Sequence, residues 1–323
     1  MRAMPAAAAL AFAVAFVVTR LLLSKFGRVA IDHPNERSLH ERPVPRTGGI
    51  AILGGAAVAL GFGAAELWLP LALAVLLAAL SFADDLYGVP TALRFALHVA
   101  AAGILAWYVL SPMHPAVLAL LALAVAWITN LYNFMDGSDG LAGGMSLIGF
   151  GAYALAADGA LAVACGALAA AAAAFLLVNF HPARLFMGDV GSIPLGFLAG
   201  TLGLVGWRND AWPLWFPLLV FAPFICDATL TLVKRLIRRE RVWQAHRDHY
   251  YQRLVRMGFG HRGTAYIEYG VMAGCAAAAI YAHARPAAIQ LGVLAAASAA
   301  LAAIAIWVDV RWERHLRASG SAA

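Results

Sequence analysis

Charged residues are scarce in this sequence. Only 12% of the 323 residues are Asp, Glu, Lys or Arg, whereas 63% are hydrophobic, and the mean hydropathy is +0.78. Soluble globular domains carry about 25% charged residues, so this composition excludes a water-soluble fold. The sequence is that of an integral membrane protein.

Cysteines are few, and the first apolar run lacks a cleavage signal. Cys165, Cys226 and Cys275 lie inside apolar runs, without the spacing of a disulfide framework or a zinc site. The first run continues as "VVTRLLLSKFGR", where a signal peptide would have small residues. We therefore expect the cysteines to be packing residues and the first helix to remain as an anchor.

Apolar runs recur along nearly the whole chain. Most have roughly 17 to 22 residues, which is the length that a helix needs to cross a bilayer core. They predict an all-α, polytopic membrane protein with about eleven transmembrane helices, folded as a single domain over residues 1–323. The runs cover residues 4–23, 48–65, 67–83, 92–110, 115–131, 141–157, 159–178, 193–206, 212–233, 266–284 and 288–308.

The basic residues predict the orientation in the membrane. If the runs alternate in direction, 20 of the 23 Lys and Arg lie on one face, which includes the large loop 234–265 and the C-terminal tail. Such an excess marks the cytoplasmic side. We therefore expect a periplasmic N-terminus and a cytoplasmic C-terminus. The net charge of +6 then requires no nucleic-acid partner.

Five aspartates fall on this same predicted face. Asp84, Asp85, Asp136, Asp139 and Asp189 follow the third, fifth and seventh runs, and the stretches "SFADDLYGVP" and "NLYNFMDGSDG" contain no Lys or Arg. Acid pairs without local counter-charges attract a hard divalent cation such as Mg²⁺. We predict a shared metal site, with unrelated surface acids as the alternative.

The stretch "NLYNFMDGSDGLAGG" predicts a break between two helices. Asn130, Asn133, Asp136 and Asp139 are spaced by three, and a row with this spacing drifts around a helix, so the four cannot share one face. Gly137 is expected to be left-handed at the helix end, and Asp139 to cap the next helix. A purely structural role for Asp139 and the asparagines remains an alternative.

The stretch "FMGDVGSIPLGF" also combines an aspartate and glycines at the expected end of a helix. Gly188 and Gly191 flank Asp189 and permit close approach of a ligand to the backbone. Ser192 is expected to cap the following helix, where a metal-bound phosphate could lie beside the carboxylate.

Two basic segments add candidate phosphate-binding residues. The loop 234–265 contains nine Lys or Arg and the stretch "AHRDHYYQRL". Arg247 offers a fork for phosphate oxygens, whereas His246 and His249 could contact a diphosphate or its sugar, with packing or capping as the alternative for one of them. A zinc site lacks a third ligand nearby.

The first predicted cytoplasmic loop contains Arg37, Arg42 and Arg46 and ends in two glycines at the second run. Its prolines keep it extended. We expect its basic residues to line the phosphate entry, with a plain linker as the alternative.

Taken together, these stretches resemble the bacterial polyprenyl-phosphate N-acetylhexosamine-1-phosphate transferases, glycosyltransferase family 4. The resemblance covers almost the whole chain and includes five motifs in the family order. They read "DHPNERSLHERPVPRTGG", "FADDLYG", "NLYNFMDGSDGLAGG", "FMGDVGS" and "AHRDHYYQRL". The last differs from the adjacent histidines of the peptidoglycan enzyme and looks more like the subgroup that initiates O-antigen synthesis.

The resemblance and the residue chemistry together give the predicted site. Its catalytic residues are Asp84, Asp85, Asp136, Asp139 and His246, its substrate-binding residues Asn133, Arg46, Arg247, His249 and Ser192, and its metal ligands Asp189, Asp85 and Asp136. Asp227 in "PFICDATL" also matches a family position, and we expect it to pair with Lys234 or Arg235.

The implied reaction transfers a sugar 1-phosphate from a UDP-sugar to undecaprenyl phosphate and releases UMP, with Mg²⁺ as cofactor and Mn²⁺ as a substitute. The family setting implies the bacterial inner membrane, an active site on its cytoplasmic face and contact with membrane lipid. A homodimer is compatible with the small-residue helix faces. We expect direct attack by the lipid phosphate, with Asp84 or Asp85 positioning it.

Two other classes of membrane protein fit the sequence less well. A lipid-linked sugar transporter should have repeated halves and charged groups at the bilayer midplane, and the sequence has neither. A CDP-alcohol phosphotransferase needs an Ala-Arg after its first acidic pair, and "DGSDGLAGG" lacks the arginine.

Overall fold

The computed structural model describes residues 3–24, 30–32, 39, 43–241, 244 and 246–320. Over these residues the protein is almost entirely helical. The only sheet within them is a two-residue antiparallel pairing of β1 with β2, in which Ile31 lies opposite Pro45 and Asp32 opposite Val44. The prediction of an all-α fold is confirmed.

The described chain forms two short strands and thirteen α-helices, which are numbered here in chain order. In chain order they are α1 (Ala3–Ser24), β1 (Ile31–Asp32), β2 (Val44–Pro45), α2 (Gly49–Ala57), α3 (Trp68–Tyr87), α4 (Thr91–Leu110), α5 (Pro115–Phe134), α6 (Leu141–Ala156), α7 (Gly159–Asn179), α8 (Asp189–Arg208), α9 (Trp215–Val220), α10 (Ala222–Ile237), α11 (Tyr250–Leu254), α12 (Gly260–Ala282) and α13 (Ala287–Ala318).

Each of the eleven apolar runs overlaps a helical segment, and the described chain contains eight helical stretches long and apolar enough to cross a membrane. The protein is therefore polytopic. The number of spans and their orientation remain predictions. The eight stretches are Ala3–Ser24, Ala65–Asp85, Thr91–Leu110, Pro115–Phe134, Gly159–Asn179, Asp189–Arg208, Tyr250–Ala282 and Ala287–Ala318.

Several runs form helices with other bounds than predicted, and the last run extends to Ala318 as α13. The run 48–65 is α-helical only to Ala57 and continues as a 3₁₀ turn that ends at Gly63, whose φ of 96° stops the helix. The run 212–233 is divided at Phe221 into α9 and α10. The run 193–206 is longer than predicted, because α8 begins at Asp189, directly after Gly188 with φ of 69°.

Small residues bring the central helices close together. α8 is buried along most of its length, and a side chain at Gly196 would meet the Ile128 carbonyl and Thr129 of α5 within 2.9 Å. The small residues Ala7, Ala11 and Ala15 of α1 are fully buried. Helix faces lined by small residues let two backbones approach closely, which is how membrane helices associate.

Candidate functional site

A cavity of about 410 Å³ lies where α5 ends and where α8 and α12 begin. Its walls come from distant parts of the chain. Among the residues that line it are Arg46, Asn133, Asp136, Asp139, Asp189 and His246. Six of the predicted site residues therefore share one cavity, at one end of the helix bundle.

Backbone hydrogen bonds hold the first loop against the stretch before α8. The amide of Phe186 donates to the Pro45 carbonyl at 2.7 Å, and that of Gly48 donates to the Phe186 carbonyl at 2.9 Å. A Cβ at Gly188 would lie 2.1 Å from the Arg46 carbonyl, so only glycine permits this approach. The pairing places Arg46 beside the N-terminus of α8. Arg37 and Arg42 lie outside the described residues.

Asp189, Asn133 and Ser192 form a hydrogen-bonded group. Ser192 donates from Oγ to Asn133 Oδ1 at 2.8 Å, and the Asn133 side chain also hydrogen-bonds to Asp189. The prediction that Ser192 caps α8 is wrong. Gly188 holds the cap position, and Ser192 lies within the first turn because the helix starts three residues earlier.

Asp136 lies after the end of α5 and close to Asp189. Burial, followed by the like charge of Asp189, raises the pKa of Asp136 well above its usual value, although a hydrogen bond with the backbone of Gly188 acts in the opposite direction. Two carboxylates that disfavour each other's charge at one cavity wall are suited to share a cation.

Asp84 and Asp85 have counter-charges that the local sequence does not reveal. Arg94 forms a short ion pair with Asp84 and lies 4.0 Å from Asp189, and Arg46 pairs with Asp85 at 3.0 Å. The stretch around the two acids has no Lys or Arg of its own, and their counter-charges come from other segments. Neither Asp84 nor Asp85 lines the cavity itself.

The three-carboxylate ligand set of Asp189, Asp85 and Asp136 stays a prediction. No group of three His, Cys, Asp or Glu in the described part of the chain is arranged to hold a metal ion. Oδ1 of Asp85 forms the ion pair with Arg46. The other oxygen, Oδ2, is buried and has no hydrogen-bond partner among the described residues. Of the three predicted ligands, Asp136 and Asp189 line the cavity with Asn133, whereas Asp85 does not.

Asp139 has structural partners. Its Oδ2 accepts from His181 Nδ1 at 2.6 Å and from the Ala183 amide at 3.1 Å. The prediction that it caps α6 is wrong, since Gly140 holds that position. Gly140, with φ of 76°, is also the left-handed residue expected at Gly137. A side chain at Gly137 would instead collide with the Tyr251 hydroxyl.

Two histidines at this turn were not predicted. The His261 ring accepts from the Asp139 amide at 3.3 Å through Nδ1 and donates from Nε2 to the Leu39 carbonyl at 3.0 Å. It stacks on His181, with ring centroids 5.5 Å apart. Both histidines lie in segments that we assigned to the cytoplasmic face, which is the only signal that the sequence offers for them.

His246 and His249 have different surroundings. His246 lines the cavity, whereas His249 is buried and donates from Nδ1 to Asp227 at 3.1 Å. Asp227 also accepts from the amides of Tyr250 and Tyr251. The expected pairing of Asp227 with Lys234 or Arg235 is therefore wrong, because its oxygens hold the start of α11.

Arg247 and His249 do not line the cavity, although both were predicted to bind substrate. The Arg247 carbonyl accepts from Arg256. Tyr251 and Gln252 of α11 do line it, and Tyr251 donates from its hydroxyl to the Phe134 carbonyl at 3.1 Å. Of the residues of this motif that line the cavity, the sequence predicted His246 but not Tyr251 and Gln252.

The electrostatics of His246 follow from its position. Burial, followed by the neighbouring His249 and Arg235, lowers the pKa of His246 to about 4. The ring is therefore neutral at pH 7, with one nitrogen able to donate and the other able to accept.

Comparison with known proteins identifies similar chains. A sequence model described as glycosyl transferase family 4 matches residues 67–207. The decaprenyl-phosphate N-acetylglucosaminephosphotransferase of Mycobacterium tuberculosis is 31% identical over 339 aligned positions, covering 87% of this chain and 83% of that protein.

Two further relatives have similar names. The probable undecaprenyl-phosphate N-acetylglucosaminyl 1-phosphate transferase of Bacillus subtilis is 29% identical, with 74% of each chain covered. The undecaprenyl-phosphate alpha-N-acetylglucosaminyl 1-phosphate transferase of Escherichia coli is 28% identical, with 76% of each chain covered.

Proposed function

We propose a function from family membership, because the chain belongs to the polyprenyl-phosphate N-acetylhexosamine-1-phosphate transferases of glycosyl transferase family 4. It is a phosphoglycosyltransferase that transfers a sugar 1-phosphate from a nucleotide sugar to a polyprenyl phosphate at the start of cell-envelope glycan synthesis. In the finer form, the donor is a UDP-N-acetylhexosamine, the acceptor is undecaprenyl phosphate, UMP is released, and the glycan is of the O-antigen type.

One observation carries this proposal. The segments around Arg46, Asn133, Asp136, Asp189 and His246, which are far apart in the sequence, line the same cavity. Carboxylates, an amide and a guanidinium together suit a diphosphate with its counter-ion. The apolar helices that surround this end of the bundle suit an acceptor with a long hydrocarbon chain.

The donor set supports a divalent cation, which we propose to be Mg²⁺, with Mn²⁺ as a substitute. Magnesium is commonly bound by one or two carboxylates together with water and substrate phosphates. Asp136 and Asp189 provide such a pair, and the Oδ2 of Asp85, which has no hydrogen-bond partner in the described part of the chain, could be recruited. When bound, the cation would neutralise charge on the diphosphate.

The transfer forms one phosphorus–oxygen bond and breaks another. An oxygen of the lipid phosphate attacks the phosphorus that carries the sugar, and the bond to UMP breaks. A phosphate monoester has a second pKa of about 6, so the acceptor is largely a dianion at pH 7 and needs little help from a base. Catalysis then depends on positioning and on charge stabilisation.

The side chains have distinct proposed roles in this transfer. Arg46 and Asn133 orient phosphate oxygens, and neutral His246 donates a hydrogen bond to the donor substrate. Asp84 and Asp85, held by Arg94 and Arg46, shape the entry of the lipid phosphate. Asp139 keeps the turn after α5 in place through His181 and Ala183.

The remaining features are proposed on the same basis. The protein acts as a single domain in the bacterial inner membrane, with the cavity open to the cytoplasm. Basic residues of the loop 234–265 face the inner leaflet, where anionic lipid attracts them. A homodimer is compatible with this arrangement.

The test is a transfer assay with purified protein, a radiolabelled UDP-N-acetylhexosamine, undecaprenyl phosphate and Mg²⁺. We expect label in the lipid phase and stoichiometric UMP. A sugar transporter would give neither, and a CDP-alcohol phosphotransferase would require a CDP-linked donor. Absence of lipid-linked label from folded wild-type protein with a panel of such donors would refute the proposal.

Variants test the assignment of residues. Asp136→Asn, Asp189→Asn and Asp84→Asn should each abolish UMP release at saturating Mg²⁺. Asp158→Asn is the matched control, because Asp158 is exposed before α7 and lies outside the cavity. Activity close to wild type in any of the three variants would remove that residue from the mechanism.

A further inference from the structure

The last helix, α13, has little contact with the rest of the protein. Along its 32 residues the only buried residue is Val308. Val308 packs with Tyr250 and Leu254 of α11 in a small apolar cluster. The buried part of the attachment of α13 therefore lies at the start of its C-terminal third, beside α11.

Asp309, next to Val308, is the polar centre of this attachment. Its Oδ2 accepts from Lys234 Nζ of α10 at 2.5 Å and from the Tyr250 hydroxyl at 3.3 Å. Its Oδ1 accepts from Arg253 Nη1 at 2.9 Å. One carboxylate thus joins three helices and receives two cations and a hydroxyl.

Arg253 depends on this carboxylate. Its side chain is only 5% exposed, and Asp309 is its one ion-pair partner among the residues that the structure describes. A cation held in a buried place needs a paired anion, because removal of one partner leaves an uncompensated charge. Without Asp309, Arg253 would have to move towards water and α11 would move with it.

α11 is also a wall of the candidate site. Tyr251 and Gln252 precede Arg253 directly and line the cavity. At the start of α11, Asp227 accepts from the amides of Tyr250 and Tyr251. The short helix is therefore fixed at its start by Asp227 and at its end by Asp309.

We infer that Asp309 is a positioning residue for sugar-phosphate transfer, which acts through Arg253 to hold Tyr251 and Gln252 at the cavity. This inference rests on the proposed function, since it takes the cavity to be the place of transfer. It gives α13 a role in catalysis, although this helix lies outside the family-model match and contributes no residue to the cavity lining.

The experiment compares the steady-state kinetics of Asp309→Asn with wild type in the same detergent, per unit of folded protein measured by size exclusion. We expect the KM for the UDP-sugar to rise and kcat to fall, with a combined loss in kcat/KM of about 10- to 100-fold, the scale for displaced substrate-positioning groups. Asp309→Glu, which keeps the charge, should restore most of the loss. Asp309→Asn combined with Arg253→Gln should be no worse than Asp309→Asn alone.

Glu313→Gln is the matched control. Glu313 lies one turn further along α13 and forms an exposed pair with Arg317 at 3.9 Å, so its kinetics should equal those of wild type. If Asp309→Asn does not yield folded protein, Arg253→Lys replaces it, and a raised KM is again expected.

Unchanged kcat and KM in the folded fraction of the variant, or a loss that Asp309→Glu does not restore, would overturn the inference. Inactive wild-type protein would instead refute the proposed function, so the two failures are distinguishable.

Discussion

Ser192 donates a hydrogen bond from Oγ to Oδ1 of Asn133 at 2.8 Å. This contact joins the first turn of α8 to the end of α5. It fixes which end of the Asn133 amide faces Asp189, because the amide oxygen is occupied and the nitrogen remains for the carboxylate. The Ser192 hydroxyl therefore acts on the Asp189 carboxylate through the amide of Asn133.

Ser192→Ala should weaken cation binding more than it weakens the fold. The change leaves Asn133 Oδ1 without this donor and frees the amide to rotate. Residues that orient metal ligands typically contribute about 10- to 100-fold in affinity. We expect the Mg²⁺ concentration for half-maximal activity to rise by about tenfold, measured by magnesium titration of the transfer assay.

Thr201→Ala provides the control for this loss of a buried hydroxyl. Thr201 lies on the same helix, is fully buried and donates to the Phe197 carbonyl at 2.8 Å. Its magnesium requirement should match that of wild type. Equal magnesium requirements in Ser192→Ala and wild type would contradict the role of the hydroxyl.

Asp139→Asn should retain far more activity than Asp139→Ala. Both described donors, His181 and the Ala183 amide, contact the same oxygen, Oδ2, and an asparagine carbonyl oxygen can accept from both. We expect Asp139→Asn to stay within about tenfold of wild type and Asp139→Ala to lose about 100-fold or more, on the scale of misplaced catalytic groups. Initial rates of UMP release measure both. Equal inactivity of the two variants would support a catalytic carboxylate instead.

Gly49→Ala should disrupt the contact between α2 and α8. A Cβ at Gly49 would lie 2.1 Å from the Cα of Gly191, and backbone cannot rotate away as a side chain can. Overpacking of this kind typically costs about 1–3 kcal/mol, and the shift would displace Arg46 and Asp189. We expect a lower Tm together with lost activity, measured by thermal unfolding in detergent and by the transfer assay.

Gly54→Ala is the control on the same helix. A Cβ at Gly54 has no heavy atom within 4 Å in the described structure, and alanine has the higher helix propensity. Its Tm should equal or exceed that of wild type. If Gly49→Ala were as stable and active as Gly54→Ala, α2 and α8 could separate at Gly49 and Gly191 without consequence, and the prediction would be wrong.

The stability of the protein should depend on His246 below neutral pH. The pKa of His246 in the folded protein is lowered to about 4, compared with about 6.5 in an unfolded chain. Between these values the unfolded chain binds more protons, so the free energy of unfolding decreases as pH falls from 6.5 to 4.

His246→Gln should therefore reduce the loss of Tm between pH 6.5 and 4. Thermal unfolding in detergent at half-unit pH steps measures it. Asp136, whose pKa is raised, contributes with the opposite sign in this range, so the difference between variant and wild type is the informative quantity. A difference that does not change with pH would contradict a buried neutral His246.

Local sequence was sufficient for the helices and for six of the residues that line the cavity. Apolar runs of bilayer length depend only on neighbouring residues, and each of the eleven runs overlaps a helical segment. The polar stretches stood out because charge is rare elsewhere in the chain. Helix ends were less accurate, since Gly140 rather than Gly137 takes the left-handed conformation.

Side-chain partners could not be predicted, because they come from distant segments. Nothing near Asp85 in the sequence indicates Arg46, and nothing near Asp227 indicates His249. His261 contacts Ser138 across 123 positions and Leu39 across 222. Such pairs form only when helix packing brings two faces together.

The sequence by itself therefore determined a membrane-embedded helical protein and the polar motifs that mark its site, because hydropathy and motif composition are local properties. Only the tertiary structure decided which carboxylates face the cavity and which are held by Arg46, His181 or Arg253. The reason is physical, since a buried charge takes whichever counter-charge the packed helices bring within reach.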